Sequence, residues 1–174
     1  MKKVFGIGLI LVIVGILLVC GFNKHTNTTY LRVHIRANSN FEIDQNVKYE
    51  IKDEVVEYLT PFLTAGKTFE MAKNIINDQL KNIEIVANNV LLKKGFSYTA
   101  KAKLNEEFFP TRSYSSLTLE SGFYDALIIS LGSGEGDNWW CVVYPPLCFT
   151  SSENVSVVYK SMIWEIIDGW IKNN

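Results

Sequence analysis

Hydrophobic and polar positions alternate with period two from Thr29 to Ala37: Leu31, Val33 and Ile35 point one way, Tyr30, Arg32, His34 and Arg36 the other. This pattern predicts a strand with one buried face and one cationic face. Asn38-Ser39-Asn40 ends it and offers side-chain oxygens to cap the next element. From Glu42 to Leu63 the spacing becomes helical, with Ile43, Val47, Ile51, Val55, Tyr58, Leu59 and Phe62 on one face and Lys48, Glu50, Lys52, Glu54 and Glu57 mostly away from it. Pro61 falls near its end, where the helix should fray or kink. Thr68 is placed to cap a second helix over about Phe69–Leu80, and Ile83–Lys94 reads as a third, stopped by Gly95. Alternation returns over Phe96–Leu104 until Pro110 breaks the run. Short and then stronger strands come at Leu117–Leu119, Tyr124–Leu131 and Trp139–Tyr144, the last ended by Pro145-Pro146, and Asn154–Ile171 reads as a closing helix. Helices and strands are segregated along the chain. The expected class is therefore α+β: a mostly antiparallel sheet with helices packed on one side, preceded by one N-terminal hydrophobic helix.

That leading segment sets the compartment. Lys2 and Lys3 flank nineteen uncharged, mostly aliphatic residues from Val4 to Phe22, which as a helix reach roughly 28 Å, close to the thickness of a hydrocarbon core. Residues 1–22 read as a signal peptide or membrane anchor, residues 23–29 as a linker and residues 30–174 as a single extracytoplasmic domain. Leu17-Leu18-Val19-Cys20 has the outline of a lipoprotein cleavage site, although Val19 is larger than the residue usual before the cysteine. The chain carries 17 basic and 18 acidic residues. Without Lys2 and Lys3 the exported part has a weakly negative, mixed charge, and no basic run interleaves with aromatics. That balance argues against nucleic acid.

Residues 132–149, GSGEGDNWWCVVYPPLCF, hold the densest candidate chemistry. Gly132, Gly134 and Gly136 stand between two strands, no lysine comes after them, and Glu135 and Asp137 would repel phosphate. They read as a hairpin turn using positive φ rather than as a phosphate loop. Cys141 and Cys148 are too few for a structural zinc site, with His25 in a tail and His34 far along the chain. Outside the membrane they can form a disulfide, worth roughly 2.5 kcal/mol for so short a loop; the alternative is two buried free thiols. Trp139 and Trp140 must face opposite sides of a strand, so at most one joins a single-sided core. The other is either a cover for a helix or sheet edge, or an aromatic anchor on a partner surface that Tyr144 and Phe149 extend. Arg32, His34 and Arg36 form a secondary candidate surface. Nearby arginines should depress protonation of His34, and no acidic partner lies close in sequence. No nucleophile elbow, HExxH or Ser-x-x-Lys spacing occurs. No cofactor or metal is expected.

The segments LRVHIRANSN (31–40), FPTRSYSSLTLESGFYDALIISLGSGEG (109–136) and NWWCVVYPPLCF (138–149) resemble the stage II sporulation protein R family. The Trp-Trp-Cys and Pro-Pro-Leu-Cys-Phe runs are the most specific part of that resemblance, which covers about Tyr30 to Phe149. It implies a non-enzymatic signalling protein of endospore formation, exported from the forespore into the space between forespore and mother-cell membranes. There it would activate a membrane-embedded aspartic protease that processes the mother-cell sigma-E precursor. Two alternatives stand beside it: a cell-wall enzyme using His34 with a carboxylate such as Asp125, and a lipid-tethered structural protein modified at Cys20.

Overall fold

The computed structural model describes residues 26–64, 66, 68–114 and 117–145. The N-terminal hydrophobic segment, Cys148, Phe149 and the closing helix expected at 154–171 lie outside the described residues. Among the described residues eight elements succeed one another: β1 (Thr26–Arg36), α1 (Glu42–Leu63), α2 (Phe69–Lys93), β2 (Ala100–Phe109), β3 (Arg112–Tyr114), β4 (Leu117–Leu119), β5 (Gly122–Leu131) and β6 (Asn138–Tyr144). The main sheet has the order β2-β5-β1-β6, and β3 and β4 form a separate two-stranded sheet. β2 with β5 and β1 with β6 are antiparallel, whereas the central pair β1 and β5 is parallel. The α+β class is as expected, and the sheet is mixed.

The strands carry their two faces as the period-two pattern requires. Leu31, Val33 and Ile35 of β1 join Leu127, Ile129 and Leu131 of β5 and Cys141 and Val143 of β6 beneath the two helices. Helix α1 supplies Val47, Ile51, Val55, Leu59 and Leu63 to that core, all at four-residue spacing. Ile43 stands one turn earlier and is 64% exposed, lining an open groove with Glu50, Lys94 and Phe96. Phe62 is also exposed. Apolar character alone assigns both to the buried face, but the sheet covers a narrower stripe. Pro61 lies in the last turn without ending the helix early, since a proline costs most in the helix interior.

The two helices expected at 69–80 and 83–94 are one helix of 25 residues. No glycine or proline interrupts Phe69–Lys93, and Ile83, Ala87, Val90 and Leu91 continue the buried face of Ala72 and Ile76. Lys81 and Asn82 are an exposed polar patch rather than a break. Thr68 caps the start, its Oγ1 accepting from the Met71 amide at 3.2 Å. Gly95 closes the end at φ +80°, where a Cβ would be strained.

The ends of β1 and β5 are locked together by a clasp of two loops. β5 and β6 do not pair with each other; they flank β1. The glycine segment is thus no hairpin turn but a bridge that passes over the end of β1, where residues 38–40 stand. Ser133 donates through its amide to Asn38 Oδ1 (3.0 Å) and through its hydroxyl to the Asn38 carbonyl (2.7 Å). Gly136 N donates to the Ala37 carbonyl at 2.9 Å, and Asp137 N to Asn40 Oδ1. Gly132 and Gly134 adopt positive φ as expected. Gly136 serves by its missing side chain instead, since a Cβ there would lie 2.3 Å from the Ser39 carbonyl oxygen. Phe41, the N-cap of α1, has no side-chain cap bond of its own, and Ser39 supplies the expected oxygen only there, its Oγ accepting from the Phe41 amide at 3.1 Å. Other bonds run the opposite way: Asn38 and Ser39, with Tyr98, donate to the carboxylate of Asp44 in the first turn of α1. Burial opposes ionisation of Asp44, but those three donors outweigh it and hold its carboxyl below the usual range. Lys48, expected to face solvent, is buried, its Nζ donating to Gln45 Oε1 (2.6 Å) and to the Asp137 carbonyl (3.0 Å). The clasp thereby ties β1, α1 and β6 to one point.

Two glycine substitutions separate close approach from backbone strain. Gly136→Ala must displace main chain and should destabilise the fold by about 1–3 kcal/mol. Gly95→Ala meets no atom within 4 Å and should cost only the positive-φ strain, about 1 kcal/mol. Urea unfolding curves read both, and equal costs would contradict the clasp. Asp44 adds a pH test. Its folded pKa lies below the unfolded 3.8, so its contribution is present above pH 3.8 and is lost as pH falls further. Asp44→Asn should remove that part of the acid-induced loss.

Candidate interaction site

The face of the sheet away from the helices holds a second, smaller cluster of Phe109, Tyr124, Ala126 and Ile128, with Tyr30 and Trp140 packed against it. Strand parity and register account for each member. β1 contributes Arg32 and His34, whose partners on β5 are Ala126 and Ile128 and on β6 are Val142 and Trp140. β2 contributes Glu107 and Phe109, which register with Tyr124 and Gly122. The strand face expected to be cationic is therefore built as expected, but two of its three basic side chains do not lie on an open surface. Arg32 and His34 are 0% and 2% exposed, because β1 is paired on both edges and aromatic rings cover it.

The guanidinium of Arg32 lies 4.1 Å from the centre of the Phe109 ring and 4.8 Å from that of Tyr124. Such stacking offsets part of the cost of burying a cation. Nη2 donates to Tyr114 Oη at 2.7 Å, so β3 is held over the face. Nε and Nη1 have no hydrogen-bond acceptor among the described residues. Burial, the largest cause, and the nearby Arg112 lower the pKa of Arg32, partly offset by Tyr114 and Tyr124; an arginine stays charged nonetheless.

His34 stacks on Trp140 with ring centres 3.7 Å apart and meets Phe109 edge-on. Its Nδ1 lies 2.9 Å from Glu107 Oε2, and Glu107 also accepts from Arg36 Nη2. A neutral ring donates through Nδ1 to that carboxylate, which leaves Nε2 as an acceptor, and Nε2 has no hydrogen-bond partner among the described residues. Protonation of His34 is depressed to about 4. Burial is the largest cause, Asn138 offsets part of it, and the charge of Arg36 adds to it. The sequence pointed to the arginines as the reason, whereas removal from water outweighs them. The ion pair with Arg36 also limits what Glu107 can return to the imidazole.

The expected site residues divide between two faces. Arg32, His34, Arg36 and Trp140 come together on the second face. Trp139 points to the opposite side, where it packs beside Val55 and Val56 with Lys52 Nζ 5.8 Å from its ring centre. Tyr144 is buried in the helix-side core. Cys141 is buried on that same side and is disulfide-bonded; the cysteine it joins lies outside the described residues. Asp125, the acid expected for a catalytic pairing with His34, is bonded instead to Lys73 of α2 at 2.7 Å, since odd positions of β5 face the helices. Glu107, 73 residues from His34, takes that place. Glu107, Phe109, Tyr114 and Tyr124 are site residues that local sequence patterns do not single out. Asn105-Glu106-Glu107-Phe108-Phe109 does not alternate apolar and polar residues, so only the strand's continuation to Phe109 places Glu107 and Phe109 on a common face. Among the described residues no group of His, Cys, Asp and Glu is arranged to hold a metal, and no helix is long and apolar enough to cross a membrane.

The histidine generates a directional test. Its folded pKa of about 4 lies below the unfolded 6.5, so the unfolded chain binds the proton first. Stability should be complete above pH 6.5 and fall progressively as pH drops toward 4. His34→Gln should flatten that part of the pH–stability profile, and an imidazole resonance titrating near 6.5 in the folded protein would refute the burial argument.

Comparison with known proteins agrees with the resemblance drawn from residues 31–149. No solved structure matches the chain. A curated protein named stage II sporulation protein R, from Bacillus subtilis (strain 168), is 34% identical over 128 residues. The aligned stretch covers 74% of this chain and 57% of that relative, so the chain spans little more than half of the relative's length. The relative's name denotes a sporulation protein and no enzymatic activity. The family model described as stage II sporulation protein R matches residues 27–154, from the start of β1 to beyond the end of β6, and the chain belongs to that family.

Proposed function

We propose that this protein is a sporulation signal exported from the forespore into the space between the two membranes, where it activates a membrane-embedded aspartic protease. The protease then processes the sigma-E precursor of the mother cell. Family membership supports the sporulation role, and the nineteen-residue apolar run after Lys2 and Lys3 supports export. In that compartment a disulfide at Cys141 is chemically favoured, with Cys148 as the proposed partner.

The observation that carries the docking role is the second face of the sheet. It presents a half-buried tryptophan, Trp140, beside Arg112, whose guanidinium lies 6.0 Å from the indole centre. Tryptophan and arginine around a rigid, desolvated centre are the residue types that dominate binding energy at protein interfaces. The same geometry argues against hydrolysis. Glu107 and His34 do form an acid–imidazole pair, but His34 Nε2, the atom that would take a proton from a nucleophile, is sealed from solvent under the rings. An activator must bind the active form of its protease more tightly than the inactive one, so contact strength at this face sets how far the protease is shifted.

The test is processing of the sigma precursor in cells that make protease and substrate, supplied with variants of the exported protein. Arg112→Glu combined with Trp140→Ala should reduce processing by at least about tenfold. Lys81→Glu, on an exposed part of α2, should leave processing unchanged. Trp139→Ala should cost about 2 kcal/mol of stability through lost packing against α1, with a processing defect no larger than its loss of folded protein. Normal processing by a folded, exported Trp140–Arg112 double variant would exclude this face.

A further inference from the structure

Arg32 is a buried cation without an anion. No carboxylate among the described residues faces it: Glu107 is taken by His34 and Arg36, and Asp125 by Lys73 on the other side of the sheet. Its surroundings are Phe109, Tyr114 and Tyr124. Buried charges in folded proteins are almost always paired, and each unmade hydrogen bond of a buried group is costly. Here the N–H groups on both Nε and Nη1 lack acceptors while only Nη2 is bonded, to the neutral phenol of Tyr114. The guanidinium is thus stacked and oriented by rings, with most of its donors unused.

The cover over it is slight. β3 and β4 are three residues each, pair only with each other and add no strand to the main sheet. An isolated two-stranded ribbon has marginal stability. Tyr114 of β3 reaches Arg32 with its hydroxyl, while Arg112 at the other end of β3 is exposed beside Trp140. The ribbon therefore covers the cation with a contact that an ionised acceptor would outcompete, because charge-assisted bonds to arginine are shorter and stronger than a bond to a phenol.

We propose that Arg32 is a carboxylate-binding site, that the β3–β4 ribbon is its displaceable cover, and that the occupant is an acidic side chain of a partner polypeptide. When the ribbon lifts, Tyr114 leaves Nη2 and the carboxylate takes the guanidinium, with the Phe109 and Tyr124 rings keeping it in position. Arg112 adds a second positive charge at the entrance. The inference deepens the docking reading only by naming what the partner brings. The site itself can be tested without any protease, so its failure leaves that reading standing, and failure of the processing assay leaves the site standing.

The measurement uses the full chain in detergent micelles, with the arginine Nε–H resonances followed by NMR. The probes are N-acetyl-glutamate N-methylamide, its glutamine counterpart and inorganic phosphate. The glutamate probe should shift the Arg32 Nε–H signal saturably, with roughly millimolar affinity for so small a ligand, and the glutamine probe should not. Because Arg32→Gln lacks that signal, the backbone amides of Phe109 and Tyr114, whose side chains touch the guanidinium, are followed as well: they should shift with the glutamate probe in the natural protein and not in Arg32→Gln. Tyr114→Phe, which keeps the ring and removes the hydroxyl, should tighten apparent binding about three- to tenfold, because less of the protein is held in the covered form. That variant keeps the test decisive should Arg32→Gln fail to fold. Absence of any saturable shift would overturn the proposal. So would a response confined to phosphate, a response that survives in folded Arg32→Gln, or an affinity unchanged in Tyr114→Phe.

Discussion

Strand β1 is hydrogen-bonded on both edges, parallel to β5 and antiparallel to β6, and that double pairing fixes the fate of every side chain on it. One face must enter the core beneath the helices, and the other cannot remain a solvated rim. Arg32 and His34 are carried into the interior by backbone pairing, whatever their own preference for water. The aromatic rings of Phe109, Tyr124 and Trp140 surround the groups that the backbone has buried. Removing two polar groups from water opposes folding. Stacking, the Tyr114 bond and the Glu107 bridge recover part of that cost, and the remainder stays with the unpaired nitrogens.

The clasp of the two loops serves the same constraint. A parallel pair cannot be joined by a tight turn, so the chain travels through α1, α2, β2 and the short ribbon before β5 lies beside β1. Once it arrives, the glycine bridge must cross the end of β1 to reach its other edge. Gly136 allows contact with Ser39 that any side chain would prevent, while Asp44 gathers the donors that hold residues 38–40 in place. The polar bonds at this end and the apolar stripe of α1 thus fix the same register, which is the agreement between levels expected of a sequence that specifies one fold.

The two tryptophans illustrate how one dipeptide is divided by geometry. Trp139 packs against α1 with Lys52 near its ring, whereas Trp140 covers His34. Strand parity demanded this split, but not which residue would meet the arginines. Register supplied that answer by placing Trp140 opposite His34. The second face consequently gathers rings, guanidinium groups and a desolvated centre, with the imidazole enclosed.

Much of the architecture is local and was legible. Period two set the faces of β1, and Thr68 and Gly95 marked the ends of α2. Legibility failed where the deciding partner is distant or where polarity misleads. Lys81 and Asn82 read as a break between helices because exposed polar residues look alike in a loop and on a helix face. The glycines between β5 and β6 read as a hairpin because the sequence does not show which strand will insert between neighbours. Lys48, Arg32 and His34 read as exposed because charge predicts water unless backbone pairing forbids it. The sequence by itself determined the elements and their two-sidedness, since these depend on steric preferences and hydrophobicity repeating over a few residues. Only the tertiary structure decided the parallel central pair, the partnership of Glu107 with His34 and the sealed cation at Arg32, because each depends on contacts between segments more than 70 residues apart, whose closure no short-range pattern encodes.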